Sequence, residues 1–387
     1  MTSLQRPGDP IAAPRPPRQE QEPASDEVTE VAPGVIRMQL PIFMPGLAHV
    51  NMYGFLDAAG LAVVDPGLPG PRSWQRLRGR LAKAGFRVRD VHTVVVTHSH
   101  PDHFGGAERL AKAAGARIVA HSAFAGPHHA HWRRLSQSEE AAAETVAAEI
   151  AQALDVELDD LPTAADEAQP RPSAYGWGEP NPWGGQGHDR PPARVRMRRL
   201  LRSRFFQPPT PTHRVHHGDP LELAGREWVS VHTPGHTVDH LCLFDPDQGI
   251  LVSGDHVLPS ITPHVSGVDI GMDTLRSYLR TLDLVAALEG VRHALPAHGH
   301  PFDDVPGRVE AIKRHHDERM GHLRDALDAL GSATVGVLCR EVFPPRHWGH
   351  MAESETFAHL EHLVGEGQAT RGRNAEGTLV YRPPDGS

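Results

Sequence analysis

The stretch Thr97–His103, which reads Thr-His-Ser-His-Pro-Asp-His, constrains this chain more than any other. Within six positions it holds four residues that can ligate a metal: His98, His100, Asp102 and His103. The β-branched run Val91–Val96 before it predicts a buried strand, and Phe104–Ala114 after it predicts a helix ending at Gly115. The four side chains therefore lie on a strand-to-helix loop, where they can converge on one point. Imidazole and carboxylate together suit zinc, iron or manganese.

This HxHxDH stretch resembles the signature of the metallo-β-lactamase-fold hydrolases. Three later stretches match further elements of that family, in the family's order and each after an apolar, strand-like run. They are Thr233–His236 for the TPGH element, Ser253–Asp255 for the SGD element, and Pro296–His300 for the PGHG element. The resemblance covers roughly residues 30–305 and implies an α/β fold, the αββα metallo-β-lactamase sandwich.

The resemblance also implies a set of metal ligands. His98, His100 and His236 would hold a first divalent ion, and Asp102, His103 and His298 a second. Asp255 would bridge the two ions. The expected cofactors are two zinc ions, with manganese or iron as alternatives, and the expected catalytic residues are Asp102 and Asp255. Asp65, in an Asp-Pro-Gly turn, is expected to orient a loop beneath the ions rather than to bind them.

From this ligand set we expect a hydrolase in which a metal-bridged hydroxide attacks a thioester, ester or lactone carbonyl. A metal-dependent nuclease or ribonuclease stays open as an alternative, because one branch of the family contains both kinds of enzyme. A sulfur dioxygenase with mononuclear iron shares HxHxDH and stays open too. A winged-helix regulator is the alternative of a different class, and seven intact ligand positions count against it.

Other branches of the family differ at these positions. The true β-lactamases usually lack the second His of the Asp-His pair and often carry Cys at the place of Asp255. The flavin-linked di-iron oxidoreductases carry Glu at the place of His100. The nuclease branch with a large inserted domain has it between the positions of Asp255 and His298, whereas the large insertion here precedes His236. Antibiotic hydrolysis and flavin-linked di-iron redox chemistry are therefore not expected.

Composition restricts the partners. The formal net charge of −9 does not favour nucleic acid, and two cysteines, Cys242 and Cys339, cannot form a disulfide framework. No apolar leader or membrane-length run occurs, so a cytoplasmic location without a membrane partner is expected. We expect a small-molecule substrate, of acyl-CoA type if the basic run within residues 194–204 meets an anionic group. Of the 28 histidines, most cannot be ligands.

Three segments are predicted to lie outside the regular core. Residues 1–27, rich in Pro, Arg, Gln and Glu, predict a disordered tail before a domain spanning 28–305. Residues 125–215 predict an insertion that is either a solvated loop or a substrate lid. Residues 306–387 predict three helices and a hairpin. That order resembles the winged helix of the lactamase-beta-2-like branch, and we expect it to pack or to form a homodimer. Four acidic residues on its third helix argue against phosphate contact: Glu353, Glu355, Glu361 and Glu366.

Overall fold

The computed structural model describes residues 18–44, 46–124, 183–184, 207–268 and 270–384. The basic run within residues 194–204 lies outside these residues. No described helix has the length and apolar content needed to cross a bilayer.

The first half of the chain builds a seven-stranded sheet whose strands follow one another in chain order. The strands are β1 (Val28–Ala32), β2 (Val35–Met44), β3 (Leu47–Asp57), β4 (Gly60–Val64), β5 (Val91–Val95), β6 (Arg117–His121) and β7 (His213–Val215). Strands β1 to β4 are antiparallel, and β4 to β7 are parallel. The helices between the parallel strands are α1 (Pro71–Lys83), α2 (Pro101–Phe104) and α3 (Ala107–Ala114). The apolar run of β5 fits a parallel strand covered on both faces.

The second sheet has five strands in the order β12-β11-β10-β9-β8. Their bounds are β8 (Pro220–Leu223), β9 (Arg226–His232), β10 (Leu241–Asp245), β11 (Ile250–Gly254) and β12 (His293–Pro296), and α4 (Thr274–Ala286) precedes β12. One core, with Phe55 against Trp228, lies between the two sheets. A second core joins the first sheet to α1 and α3, and a third joins the second sheet to α4. This helix, sheet, sheet, helix order confirms the predicted αββα sandwich.

The strand directions bring the ligand loops to one edge of the sandwich. β9 and β11 are both antiparallel to β10, and β12 is parallel to β11, so all three end on the same side. A hydrogen bond from the amide of Leu241 to the carbonyl of Thr97, 2.8 Å, ties the loop after β5 to the second sheet. The loops that follow β5, β9, β11 and β12 therefore meet above the core.

The prediction of a disordered amino-terminal tail is wrong for its last ten residues, 18–27. Residues 18–27 include a short 3-10 helix, Gln19–Gln21, in which Glu20 is fully buried. Glu20 accepts hydrogen bonds from the amides of Ser260 and Ile261, at 2.8 and 3.1 Å. The order of this segment comes from polar contacts with distant loops, which local composition does not reveal.

The predicted insertion 125–215 is too long at its carboxyl end, because β7 pairs with β6 within the first sheet. Only Trp183 and Gly184 are described from its middle. Trp183 is buried with its ring centroid 5.0 Å from that of Phe357, and its carbonyl accepts from the amide of Leu379 at 3.1 Å. This aromatic residue of the insertion packs against the carboxyl-terminal helices and hairpin.

The carboxyl-terminal region contains three helices and a small sheet. Its helices are α5 (Val305–Leu330), α6 (Val335–Val342) and α7 (His350–Gly365), and its strands are β13 (Ala333–Thr334), β14 (Thr370–Arg373) and β15 (Leu379–Arg382). Thr334 caps α6, with its side chain accepting from the amide of Val337. Whether this region is a winged helix stays a prediction.

Helix α7 is buried from Ser354 to Leu363. Two of its acidic residues are buried and paired: Glu355 with Arg319, and Glu361 with Arg371 and with the Tyr381 hydroxyl. The acidity of this helix is therefore less exposed than the sequence indicates. Its burial, rather than its charge, is what argues against a role in nucleic-acid contact.

Candidate metal centre

Three histidines form the first ligand group: His98, His100 and His236. His100 Nδ1 lies 2.9 Å from His98 Nε2 and 3.1 Å from His236 Nε2. Two ligands about 2.0–2.1 Å from a tetrahedral zinc are roughly 3.3 Å apart, so these spacings suit a shared ion. The HxH spacing on the loop after β5 sets the first contact, and the loop after β9 brings His236 to it.

The second ligand group contains Asp102, His103 and His298. Asp102 Oδ2 lies 3.5 Å from His103 Nε2 and 3.6 Å from His298 Nε2. Asp102 and His103 lie on the single turn of α2, which begins with Pro101 at its first position. All three residues are at most 2 % exposed.

Asp255 lies between the two groups. Its Oδ2 is 3.5 Å from His236 Nε2 and 3.5 Å from His103 Nε2, and its Oδ1 is 3.3 Å from His298 Nε2. The structure therefore brings together the seven residues predicted from the sequence, as two clusters able to hold a metal with one carboxylate reaching both.

Outer hydrogen bonds determine the tautomers of two of these histidines. His236 Nδ1 lies 2.6 Å from the carbonyl oxygen of His264, and His298 Nδ1 lies 2.6 Å from the carbonyl oxygen of His49. A carbonyl oxygen only accepts, so each Nδ1 carries the proton that it donates. In the metal-binding form of each ring, Nε2 then has a lone pair directed toward the other ligands.

Asp65 determines the tautomers of two more. Its Oδ2 accepts from His103 Nδ1 at 2.8 Å and from the Thr97 hydroxyl at 2.8 Å. Because the Thr97 hydroxyl donates to Asp65, its oxygen is free to accept from His98 Nδ1, 3.0 Å away. With Nδ1 occupied in this way, both rings direct Nε2 inward. The expected orienting role of Asp65 fits this arrangement.

Converging lone pairs require a positive charge between them. His103 Nε2, His298 Nε2 and Asp255 Oδ1 are buried and have no hydrogen-bond partner among the described residues. A proton on His100 Nδ1 satisfies only one of its two ring neighbours, whereas a cation satisfies every atom at once. The donor set of imidazole nitrogens and carboxylates therefore fits divalent transition metals.

Burial and neighbouring charges set the protonation of the centre. Burial, with His236 nearby, lowers the pKa of His100 to about 3, so this ring is neutral at pH 7. Burial opposes a charge on both Asp102 and His103. The adjacent His103 nevertheless lowers the pKa of Asp102 to about 2, and Asp102, Asp255 and Asp65 raise the pKa of His103 well above its usual range. A proton on His103 occupies the position that a metal would take, so metal binding displaces it.

Other residues lie around the centre without entering it. His240 Nε2 accepts from the amide of Asp255 at 3.0 Å, which fixes the backbone that carries the bridging carboxylate. Gly254, at φ 52°, leaves room for this contact, because a Cβ there would lie 2.6 Å from His240 Nε2. His256 is fully buried against Tyr278 and does not line an open pocket. Cys242 is a buried core residue.

Sequence reasoning did not identify His49 or His264 as residues that orient the ligands. Each contributes a main-chain carbonyl that fixes a ligand histidine, and any residue type can supply a carbonyl. No motif reports such a contact. The position of His49 on β3, beside the loop after β12, becomes visible only when the two sheets are packed together.

Comparison with known proteins gives a family. Residues 45–298 match the sequence profile of the Metallo-beta-lactamase superfamily. The chain is 31 % identical over 150 residues to Lactamase-like protein nscB of Trichophyton equinum, which is 38 % of this chain and 42 % of the relative. It is 34 % identical over 106 residues to the protein of the same name from Aspergillus fumigatus, 27 % of this chain and 30 % of the relative. The aligned part thus spans less than half of either relative.

Solved structures resemble almost the whole chain. A metallo-beta-lactamase family protein of Thermus thermophilus superposes with a TM-score of 0.66 at 28 % identity, covering 92 % of this chain and 100 % of that one. A beta-lactamase domain protein from Burkholderia ambifaria superposes with a TM-score of 0.64 at 24 % identity, covering 94 % and 96 %. The second likeness supports the fold alone.

Proposed function

Because the chain belongs to the metallo-beta-lactamase superfamily, whose members are in general metal-dependent hydrolases, we propose that it hydrolyses thioesters, esters or lactones with two metal ions. The observation that carries this proposal is the position of Asp255. Its two oxygens lie within 3.5 Å of imidazole nitrogens from both ligand groups. A carboxylate that reaches both groups can hold two ions close together.

The seven candidate ligands have distinct roles in the proposed mechanism. His98, His100 and His236 would hold one ion, Asp102, His103 and His298 the other, and Asp255 both. When bound, two such ions would lower the pKa of a water molecule toward about 7 and polarise the oxygen of the electrophile. Asp102, ionised at pH 7, accepts a hydrogen bond from the attacking water and orients it.

Burial keeps competing protons away from this chemistry. The ligand histidines of the first group are held neutral, and the Nδ1 protons of His98 and His236 are directed outward to the Thr97 hydroxyl and the His264 carbonyl. No serine or cysteine nucleophile is required. A covalent acyl-enzyme is therefore not part of the proposed mechanism, and Cys242 and Cys339 are both buried.

A small-molecule substrate is favoured over nucleic acid. The net charge is −9, and helix α7 is buried rather than presented to a groove. Zinc is the preferred metal on the donor set, with manganese and iron as alternatives.

The test is elemental analysis of protein purified without chelator, followed by a substrate panel of acyl-CoA thioesters, lactones and RNA. We expect close to two equivalents of transition metal, and turnover of at least one carbonyl substrate. The Asp255→Ala variant, run on the same panel, controls for contaminating esterases. Turnover of RNA alone would replace the proposal with the nuclease alternative. One equivalent of iron with sulfur oxidation would replace it with the dioxygenase.

A further inference from the structure

We propose that regions near the two ends of the chain position the two ligand groups separately. Residues 19–22 hold His298 of the second group, and helix α7 holds His236 of the first. This inference rests on the proposed metal centre. It assigns positioning roles to residues that do not touch metal or substrate.

The amino-terminal side acts through His49. His298 donates from Nδ1 to the carbonyl of His49, which leaves Nε2 for the metal. The ring of His49 is fixed on both nitrogens: Nδ1 donates to the carbonyl of Glu22 at 2.8 Å, and Nε2 accepts from the amide of Gly299 at 3.1 Å. Burial lowers the pKa of His49, and the neutral ring has one donor and one acceptor for these two partners.

Glu20 anchors the same segment. Its buried carboxylate accepts from the amides of Ser260 and Ile261, five and six positions after Asp255, and from the Ser260 hydroxyl. The side chain of Gln19 accepts from the amide of His300, two positions after His298, at 3.0 Å. Residues 19–22 therefore tie together the loop that carries Asp255 and the loop that carries His298.

The carboxyl-terminal side acts through His264. His236 donates from Nδ1 to the carbonyl of His264. The His264 side chain donates from Nδ1 to Glu355 of α7 at 3.2 Å, and the amide of Gly267 donates to the carbonyl of Ser354 at 3.0 Å. The loop carrying the His264 carbonyl is thus attached to α7 by a side chain and by backbone.

Glu355 is itself fixed. It is 9 % exposed and pairs with Arg319 of α5. Burial opposes its ionisation, but the contacts with His264 and Arg319 hold the pKa of this carboxyl below its usual range. The carboxylate is therefore charged at pH 7, and a charged acceptor holds the His264 side chain more strongly than a neutral one. The two paths share no residue.

The experiment measures zinc affinity in backgrounds that retain one ligand group each. His236→Ala disrupts the first group and keeps the second intact, whereas His298→Ala disrupts the second and keeps the first intact. Glu20→Gln and Glu355→Gln are added to each background in the full-length chain. Zinc dissociation constants are obtained by competition with a chromophoric chelator. Loss of an outer partner typically weakens metal affinity by about 10–100-fold, and we expect about tenfold here because these residues act through an intermediate histidine.

A reciprocal pattern is expected. Glu20→Gln should weaken zinc binding in the His236→Ala background and leave the His298→Ala background unchanged, and Glu355→Gln should do the opposite. Matched controls are Glu27→Gln, exposed in the amino-terminal segment, and Glu341→Gln, exposed on α6. His264→Ala is a second variant for the carboxyl-terminal path, because it keeps the main-chain carbonyl and the α7 side chains. Unfolding of each metal-free variant shows whether a change is local.

Two results would overturn the inference. Equal weakening of both backgrounds by one substitution would show a general loss of structure, and no weakening by either would show that the contacts do not position the ligands. If either result is obtained while the wild-type protein binds two equivalents of zinc, the proposed metal centre stands and only this inference fails. If the wild-type protein binds no zinc, both the proposed metal centre and this inference fail.

Discussion

The two ligand groups differ in depth and in how they are held. Every member of the second group is at most 2 % exposed, whereas His236 in the first group is 9 % exposed and His100 is only partly buried. The second group has a charged outer partner, Asp65, on His103, whereas the first group relies on the Thr97 hydroxyl and a carbonyl. The first group therefore lies nearer the surface, and the second group forms the floor of the centre.

The largest expected effect comes from Asp255→Ala, because this substitution removes the one carboxylate common to both groups. Turnover should fall by more than the roughly 100-fold that loss of an outer partner costs, and both zinc affinities should weaken. Steady-state kinetics and elemental analysis check this, with circular dichroism to show that the fold persists. Near-wild-type turnover would mean that Asp255 does not join the groups.

Removing a histidine from one group at a time separates the metal binding of the two ligand groups. His236→Ala and His298→Ala should each retain about one equivalent of metal after gel filtration, because three ligands of the other group remain. Elemental analysis gives the result directly. If either variant lost both equivalents, the two groups would behave as one cooperative centre.

Asp65→Asn tests the outer partner found in only one group. The amide cannot supply a charged acceptor for His103, so zinc affinity at the second group should fall by about 10–100-fold while the first group keeps its metal. Chelator competition measures both affinities. The exposed Asp247→Asn is the matched control, and an equal loss at both groups would argue that Asp65 acts on the whole loop through Thr97.

Trp183→Ala should have the smallest effect on the metals. Its buried ring contacts Phe357 in α7, and truncating a buried aromatic typically costs about 3–5 kcal/mol of unfolding free energy. Metal content should stay at the wild-type value while the thermal midpoint falls. Calorimetry with elemental analysis checks both, and loss of metal without loss of stability would give this segment a direct role in the centre.

The candidate ligands were predictable because they lie in short motifs after apolar strands. The residues that orient these ligands were less predictable from the sequence. Asp65 follows from a turn motif, but Glu20 and Glu355 lie in segments where polar composition indicates a tail and a solvent-facing helix. Both carboxylates are buried instead, because partners far along the chain satisfy them: loop amides near 260 and Arg319. Local patterns carry no information about such partners. The three residues of β7 are likewise too few to show a period.

The contacts of Glu20 and Gln19 also have a consequence for synthesis. Their partners lie near residues 260 and 300, so the amino-terminal segment leaves the ribosome long before these loops exist. At about 5–20 residues per second, roughly 280 residues of further translation take about 15–55 s. An apolar segment would be exposed during that interval and would associate with other apolar surfaces. A segment rich in Pro, Gln and Glu remains hydrated instead, and it completes its contacts only after the last ligand loop has been synthesised.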